Sequence, residues 1–356
     1  MAYTTIKKPS DYFNTKLYTA NGGTLSVTGV GFQPDFTWIK DRDRSGYNHR
    51  LQDSVRGATK SLISNLSNAE QTNADAVKSF NSDGFVLGND AGNGSFNGNS
   101  NFVSWNWLGA NGTVANTDGD IASTVSASAT SGFSIVSYTG TGSNATIGHG
   151  LGATPQVVLI KELNGTNNWL MSHQPLSASL GDYTRFMTLN SNSAVSGAGN
   201  VVFQNSAFTS SVFNVGTSVG SNGSGQNFIA YCFADVKGFS KMGSYIGNGS
   251  TDGTFVYTGF KPAFLIVKNV DAGEAWGMHD NKRPGLGNGN APVGHFELYP
   301  NLSNAENSAG AAGQIDFLSN GFKLRTATNS LNVTQNYIYM AFAEQPLVGD
   351  NPCTAR

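Results

Sequence analysis

The sequence predicts an all-β protein built as three tandem antiparallel β-sandwiches of jelly-roll or lectin-like type. Three observations carry that expectation. The first is an internal repeat: Pro34, Pro155 and Pro262 are each followed six residues later by a lysine (Lys40, Lys161, Lys268). The intervening residues are mostly apolar, aromatic or β-branched, as in a buried strand, and proline is tolerated at a strand's first position. The second is a closing strand in each copy, Asn101–Trp107, Asn227–Phe233 and Asn336–Phe342. Its alternation puts Val103, Trp105 and Trp107, then Ile229, Tyr231 and Phe233, then Ile338, Met340 and Phe342 on a core face. The third is composition: only 12% of residues are charged and 44 of 356 are glycine. Long amphipathic helices need the residues that are scarce here, whereas short strands between Gly/Asn/Ser turns do not.

Taken in order, residues 1–15 read as an N-terminal arm suited to docking, and 16–108 as the first sandwich. A short helix is expected within 67–80, and a long Gly/Asn loop over 88–100. Residues 109–131 read as a linker with one added strand near 121–125. The second sandwich spans 132–234, a short joint 235–242, the third sandwich 243–343. Residues 344–356 read as a tail that Pro346 and Pro352 keep out of a central strand. Around the Pro-to-Lys strands other elements fall in step. A tyrosine precedes each one (Tyr18, Tyr138, Tyr245). Three histidines follow and are read as equivalent: His49, His173 and His279. Two phenylalanines five apart come later, read as Phe80/Phe85, Phe203/Phe208 and Phe317/Phe322.

A net charge of −2 excludes a strongly electrostatic nucleic-acid binder, so no nucleic-acid partner is expected. The first residues hold no apolar run, so no signal peptide is expected, and no stretch is long enough for membrane insertion. Two cysteines make no disulfide framework; Cys232 reads as a packed thiol and Cys353 as exposed.

The histidines lack neighbouring ligands at usable spacing and read as polar anchors rather than a metal site. The lysines six residues after proline read as strand-end solvation or local ion pairs. Asp53-Ser54-Val55-Arg56-Gly57 stands out in the first copy only, as a local Asp–Arg pair. Asp41 with Asp43 and Asp118 with Asp120 are fragments of calcium loops without the full spacing. The six glutamates show no evident acid–base pair for glycan hydrolysis. No catalytic residue, cofactor or metal is therefore expected. Ligand contacts are expected in polar Gly/Asn loops at Asn89, Asn93, Asn97, Asn281, Arg283 and Asn288.

Several runs resemble a family of virion structural proteins from marine tailed bacteriophages of the cyanophage and pelagiphage kind. They are Met1–Ile6 with Pro9–Phe13, Gly31–Phe36, Asp53–Lys60, Gly132–Val136, Gly243–Gly249 and Phe255–Pro262, with Thr354-Ala355-Arg356 at the end. The resemblance spans nearly the whole chain and implies a tail-fibre-like virion component made in the host cytoplasm, without catalytic residues to carry over. In the second copy Gln174-Pro175-Leu176 departs from the basic residue that usually follows the histidine. The expectation is a non-enzymatic host-attachment protein on the particle surface. Its partners would be other virion proteins and host-surface glycan, with a homotrimer as its oligomer. The alternatives are a capsid decoration or tail-ring protein and a glycan depolymerase; a single chain whose three copies imitate a trimer rivals the homotrimer.

Overall fold

In each repeat the opening strand hydrogen-bonds to the closing strand, and the closing strand to the Pro-to-Lys strand. The computed structural model describes residues 4–90, 94–197, 199–283, 296–308, 315–349 and 352. Repeat 1 comprises β1 (Phe13–Thr19), β2 (Leu25–Thr28), β3 (Phe36–Asp41), β4 (Arg50–Asp53), β5 (Lys60–Ile63), β6 (Gln71–Thr72), β7 (Val77–Asn81), β8 (Gly84–Leu87) and β9 (Asn101–Trp107). Repeat 2 comprises β10 (Val114–Asn116), β11 (Ser123–Ser128), β12 (Phe133–Thr139), β13 (Ala145–Gly148), β14 (Pro155–Glu162), β15 (Leu170–His173), α1 (Gln174–Leu180), β16 (Arg185–Thr188), β17 (Ser196–Gly197), β18 (Val212–Val215), α2 (Val219–Asn222) and β19 (Asn227–Ala234). Repeat 3 comprises β20 (Ser240–Ile246), β21 (Phe255–Tyr257), β22 (Phe260–Asn269), β23 (Gly277–Asp280), β24 (Phe296–Glu297), β25 (Asn307–Ser308), β26 (Ile315–Leu318), β27 (Gly321–Leu324) and β28 (Asn336–Pro346).

The large sheets run β1-β9-β3-β4-β5-β6, β10-β11-β12-β19-β14-β15-β16-β17 and β20-β28-β22-β23. Their common core, β1-β9-β3-β4, β12-β19-β14-β15 and β20-β28-β22-β23, is one order three times over. Small sheets β2-β8-β7, β13-β18 and β21-β27-β26 pack beside them, and their strands pair antiparallel. Phe102 and Ile39, facing the small sheet, form repeat 1's own core with Phe85 and Leu87; repeats 2 and 3 have counterparts. At the β7–β8 turn Gly84 has φ +146° and its Cβ position lies 2.0 Å from the Val27 carbonyl oxygen, so only glycine fits there.

The faces read from sequence as core are buried, but the core they enter is shared. Val103, Trp105 and Trp107 meet Ile229, Tyr231 and Phe233 and also Ile338, Met340 and Phe342 in one cluster. Phe342 has ring centroids within 5.2 Å of Phe13, 5.5 Å of Trp107 and 5.8 Å of Phe233. A cavity of about 20 Å³ remains at this junction, lined by aromatic and aliphatic side chains of the three repeats. The repeats are therefore not independently closed sandwiches. Strands buried on both faces carry the near-continuous apolar runs of the sequence.

The junctions close a ring. Glu306 N donates to Arg42 O (2.7 Å), Glu70 N to Leu163 O (2.9 Å) and Val195 N to Val270 O (2.8 Å). Thus repeat 3 lies on repeat 1, repeat 1 on repeat 2 and repeat 2 on repeat 3. The same cycle recurs at Trp169 Nε1, which donates to Ile63 O at 2.8 Å, and at Trp276 Nε1, which donates to Thr188 O at 3.3 Å. His49 is the third member, beside the Tyr299 carbonyl.

Strand register corrects several expectations. Asp53, His173 and Asp280 are equivalent, so His49 matches Trp169 and Trp276, not the other histidines. Phe213 sits opposite Ile147 as Phe85 sits opposite Val27 and Phe322 opposite Val256. The repeated pair in repeat 2 is therefore Phe208/Phe213, not Phe203/Phe208. Where a helix was expected in 67–80 the chain forms β6 and β7, because Val77 and its neighbours pair with β8. The supposed linker supplies β10 and β11 to repeat 2's sheet. The joint is shorter than expected, since β20 begins at Ser240. β28 runs on to Pro346, opposite Phe260, with bulges around Pro262. Residues 4–12 do not project as an arm: Ile6 is buried in the shared core and Tyr12 packs edge-on against Phe239.

Candidate functional site

The charged motifs sort first into ring fasteners. Arg56 pairs with Asp53 (2.5 Å) and Glu70 (3.1 Å), and Tyr231 of repeat 2 donates its hydroxyl to the same Asp53 (2.7 Å). Arg283 pairs with Asp280 (2.6 Å) and Glu306 (3.0 Å), and Trp105 of repeat 1 donates Nε1 to Asp280 (3.0 Å). At this register the Asp–Arg pair thus occurs in repeats 1 and 3, not in repeat 1 only. At the third junction the corresponding residues are His173, Leu176, Val195 and Met340, and the ion-pair network is replaced by packing of Leu176 and Met340 in the shared core, with His173 Nε2 3.4 Å from Tyr339 O. His173 Nδ1 caps α1 by accepting from Leu176 N. Burial pushes this imidazole down to about 4, and pushes His49 well below its ordinary value.

Lys40, Lys161 and Lys268 are fully buried, not solvated strand ends. Each Nζ donates to the carbonyl of the next residue, Asp41 (2.6 Å), Glu162 (2.6 Å) and Asn269 (2.5 Å). Burial pushes each ammonium down to about 8. The calcium-loop fragments are turn anchors: Asp41 Oδ1 accepts from Asp43 N and Arg44 N, and Asp120 accepts from Thr146. Among the described residues no group of three or more His, Cys, Asp or Glu could hold a metal ion. No helix among them is long and apolar enough to cross a membrane. Cys232 is buried, its thiol pushed up to about 12 by desolvation.

The loop residues singled out from sequence do not converge on one place. Asn89 is exposed. Asn97 is fully buried, and its amide donates to Gly88 O (2.8 Å) and also to Gly23 O. Phe96 beside it belongs to repeat 1's core, so residues 95–97 are folded inward, while Asn89 and Asn99 are exposed. In the 41–56 segment β4 is wholly buried, whereas Asp43, Ser45 and Gly46 are exposed. Arg283 is a buried fastener, and Asn281 is half-buried at a small cavity. Asn93 and Asn288 lie outside the described residues.

A concavity with an aromatic wall was not anticipated from sequence. It is a groove of about 510 Å³ between Asp235, Lys237, Gly238, Ser240 and Lys241 on one side and Tyr257, Thr258 and Gly259 on the other. Tyr257 is 57% exposed and Phe255 43%, on the outer face of β21. The readable signal was their i, i+2 spacing around Val256, which turns inward. Lys241 Nζ holds Asp235 in an ion pair. An exposed phenol ring beside a carboxylate, amines and backbone carbonyls suits a ligand with one apolar face and a rim of hydroxyls.

The fold and groove define an all-β protein with a candidate binding surface. The sequence profile of DUF7483, a domain of unknown function, matches residues 8–346, and the chain belongs to that family. No curated protein matches the chain.

Proposed function

We propose that the protein is a bacteriophage virion structural protein, a tail-fibre, spike or head-fibre component that attaches to host-surface glycan by binding alone. The exposed Tyr257 ring in a polar groove on a rigid sandwich carries this reading. A sugar ring can lay its C–H face on the phenol while its hydroxyls reach Asp235, Lys241 and the Thr258–Gly259 backbone. Sequence resemblance to phage virion proteins supplies the setting on the particle surface. Because the repeats already form a closed ring, a single chain is our reading of the functional unit in place of a homotrimer.

A second reading, a decoration or tail-ring protein that binds only other virion proteins, draws on the exposed apolar Ile246 and Phe255 of repeat 3. Cells preincubated with purified protein should adsorb fewer phage, and Tyr257→Ala protein should not compete. If wild-type protein fails to bind host cells, and deletion of the gene destabilises particles, the attachment reading fails in favour of the decoration reading.

A further inference from the structure

The three junctions of the ring are not equally filled, and the exception is a polar cavity. Where β1 of repeat 1 meets repeat 3 there is a space of about 60 Å³ whose walls include Thr15, Ala263, Asn281, Lys282 and Glu344. Two buried oxygens among these residues, Thr15 Oγ1 and Asn281 Oδ1, have no hydrogen-bond partner among the described residues, and Glu344 Oε2 beside them is paired with Lys261 Nζ. Thr15 itself is only 6% exposed. Such orphaned groups are costly to bury and call for a partner.

The other junctions show what a filled version looks like. Thr15 corresponds in register to Ile135 and Met242, both apolar. Asn281 corresponds to Ser54, since Asn281 N donates to Ala263 O as Ser54 N donates to Asp35 O. In repeat 1 the Ser54 hydroxyl donates to Asp35 (2.6 Å), whose other oxygen accepts from Gly109 N and Asn111 N. In repeat 3 the place of Asp35 is taken by Ala263, so that carboxylate and its bonds are missing. The cavity shares Asn14, Thr15 and Lys282 with an adjoining groove of about 330 Å³ that also includes Lys16 and Gly29.

We infer that this cavity is a saccharide subsite that takes hydroxyl groups of an acidic sugar, with the rest of the ligand in the adjoining groove. The orphans set the chemistry. Asn281 Oδ1 only accepts and Thr15 Oγ1 takes either role, so the ligand must donate, as a sugar hydroxyl does. A divalent cation is disfavoured because Lys261 Nζ already stands 2.8 Å from Glu344 Oε2. At the mouth Lys282 is exposed and makes no ion pair among the described residues, which places a cation where a uronate carboxylate would lie. The inference rests on the glycan reading above and names the ligand class at a second position.

The test is calorimetric titration of the full chain with trigalacturonate, with neutral galactotriose as the comparison. Trigalacturonate should bind at about millimolar strength or better, with galactotriose roughly tenfold weaker for loss of the charged contact. Thr15→Val, which keeps the shape, should weaken binding on the order of tenfold. Ala263→Asp, which restores the repeat 1 plug, should abolish it; if that variant fails to fold, Thr15→Val alone decides. Absence of trigalacturonate binding, or binding unchanged in Thr15→Val, overturns the inference. Tyr257→Ala should leave this titration unaltered while reducing adsorption, so failure here is distinct from failure of the attachment reading.

Discussion

Phe342→Ala probes the shared core at the place where the repeats meet. The ring is 1% exposed and lies against Phe13, Trp107, Phe233, Phe239 and Phe264, which come from all three repeats. Burial of a phenylalanine contributes about 1.5–3 kcal/mol by transfer alone. Truncation adds a cavity term, because five aromatic neighbours cannot all relax into the space and a void of about 20 Å³ already adjoins it. The total expected loss is about 3–5 kcal/mol. Urea unfolding followed by fluorescence reads it, with the tryptophans of repeat 1 and with Trp169 and Trp276 of repeats 2 and 3 left singly in turn. The midpoint should fall for every probe together, since the lost contacts belong to all three repeats. A loss below about 1 kcal/mol, or a shift confined to the repeat 3 probe, would refute the reasoning.

Other perturbations test the fasteners and the buried amines. Arg283→Ala leaves Asp280 buried without its cation and should cost about 3–5 kcal/mol. Combining Trp105→Met, Asp280→His, Arg283→Leu and Glu306→Val installs the residues of the third junction. By chemical denaturation that quadruple variant should be more stable than Arg283→Ala; if it is less stable, the equivalence drawn between the junctions is wrong. Lys40, Lys161 and Lys268 are pushed down to about 8 from 10.5. Above pH 8 the unfolded chain therefore keeps protons that the folded chain has released, and stability from these groups rises with pH. Denaturation midpoints at pH 7.5, 8.5 and 9.5 should show that rise, and Lys161→Met should reduce it; a wild-type decline across the window counts against it. Deleting Asn89–Asn99 removes Phe96 and Asn97 from repeat 1's interior and should abolish cooperative folding. A folded deletion protein by circular dichroism would show that the loop is dispensable.

Much of the fold was legible in the sequence because the repeat marks its own strands. The Pro-to-Lys run marks β3, β14 and β22, with proline two residues ahead of β3, first in β14 and third in β22, and the alternation of Trp105/Trp107, Tyr231/Phe233 and Met340/Phe342 gave the correct inward face. What alternation cannot state is whose side chains cover that face. A run such as Phe36–Lys40 reads the same whether it is buried by its own repeat or by two others, so the shared core stayed hidden. Equivalence drawn by residue type also slipped. His49 occupies the position of two tryptophans because both offer a ring at the neighbour's carbonyl. Phe213 was displaced by Phe208 because two spacings of five overlap in repeat 2. Asn281 lines the orphaned cavity but was picked for its loop composition, whereas its orphaned state follows from Ala263 standing where repeat 1 has Asp35.

The ring with one common core is tested most directly by a nitrogen-correlated NMR spectrum of isolated repeat 3, residues 239–356. Cut from its neighbours, this fragment exposes Phe264, Ile266, Met340 and Phe342 together, an apolar face that only the other two repeats cover. The account predicts a collapsed, poorly dispersed spectrum or an aggregated sample. A well-dispersed spectrum from a stable monomer would show that repeat 3 folds alone, and would contradict it.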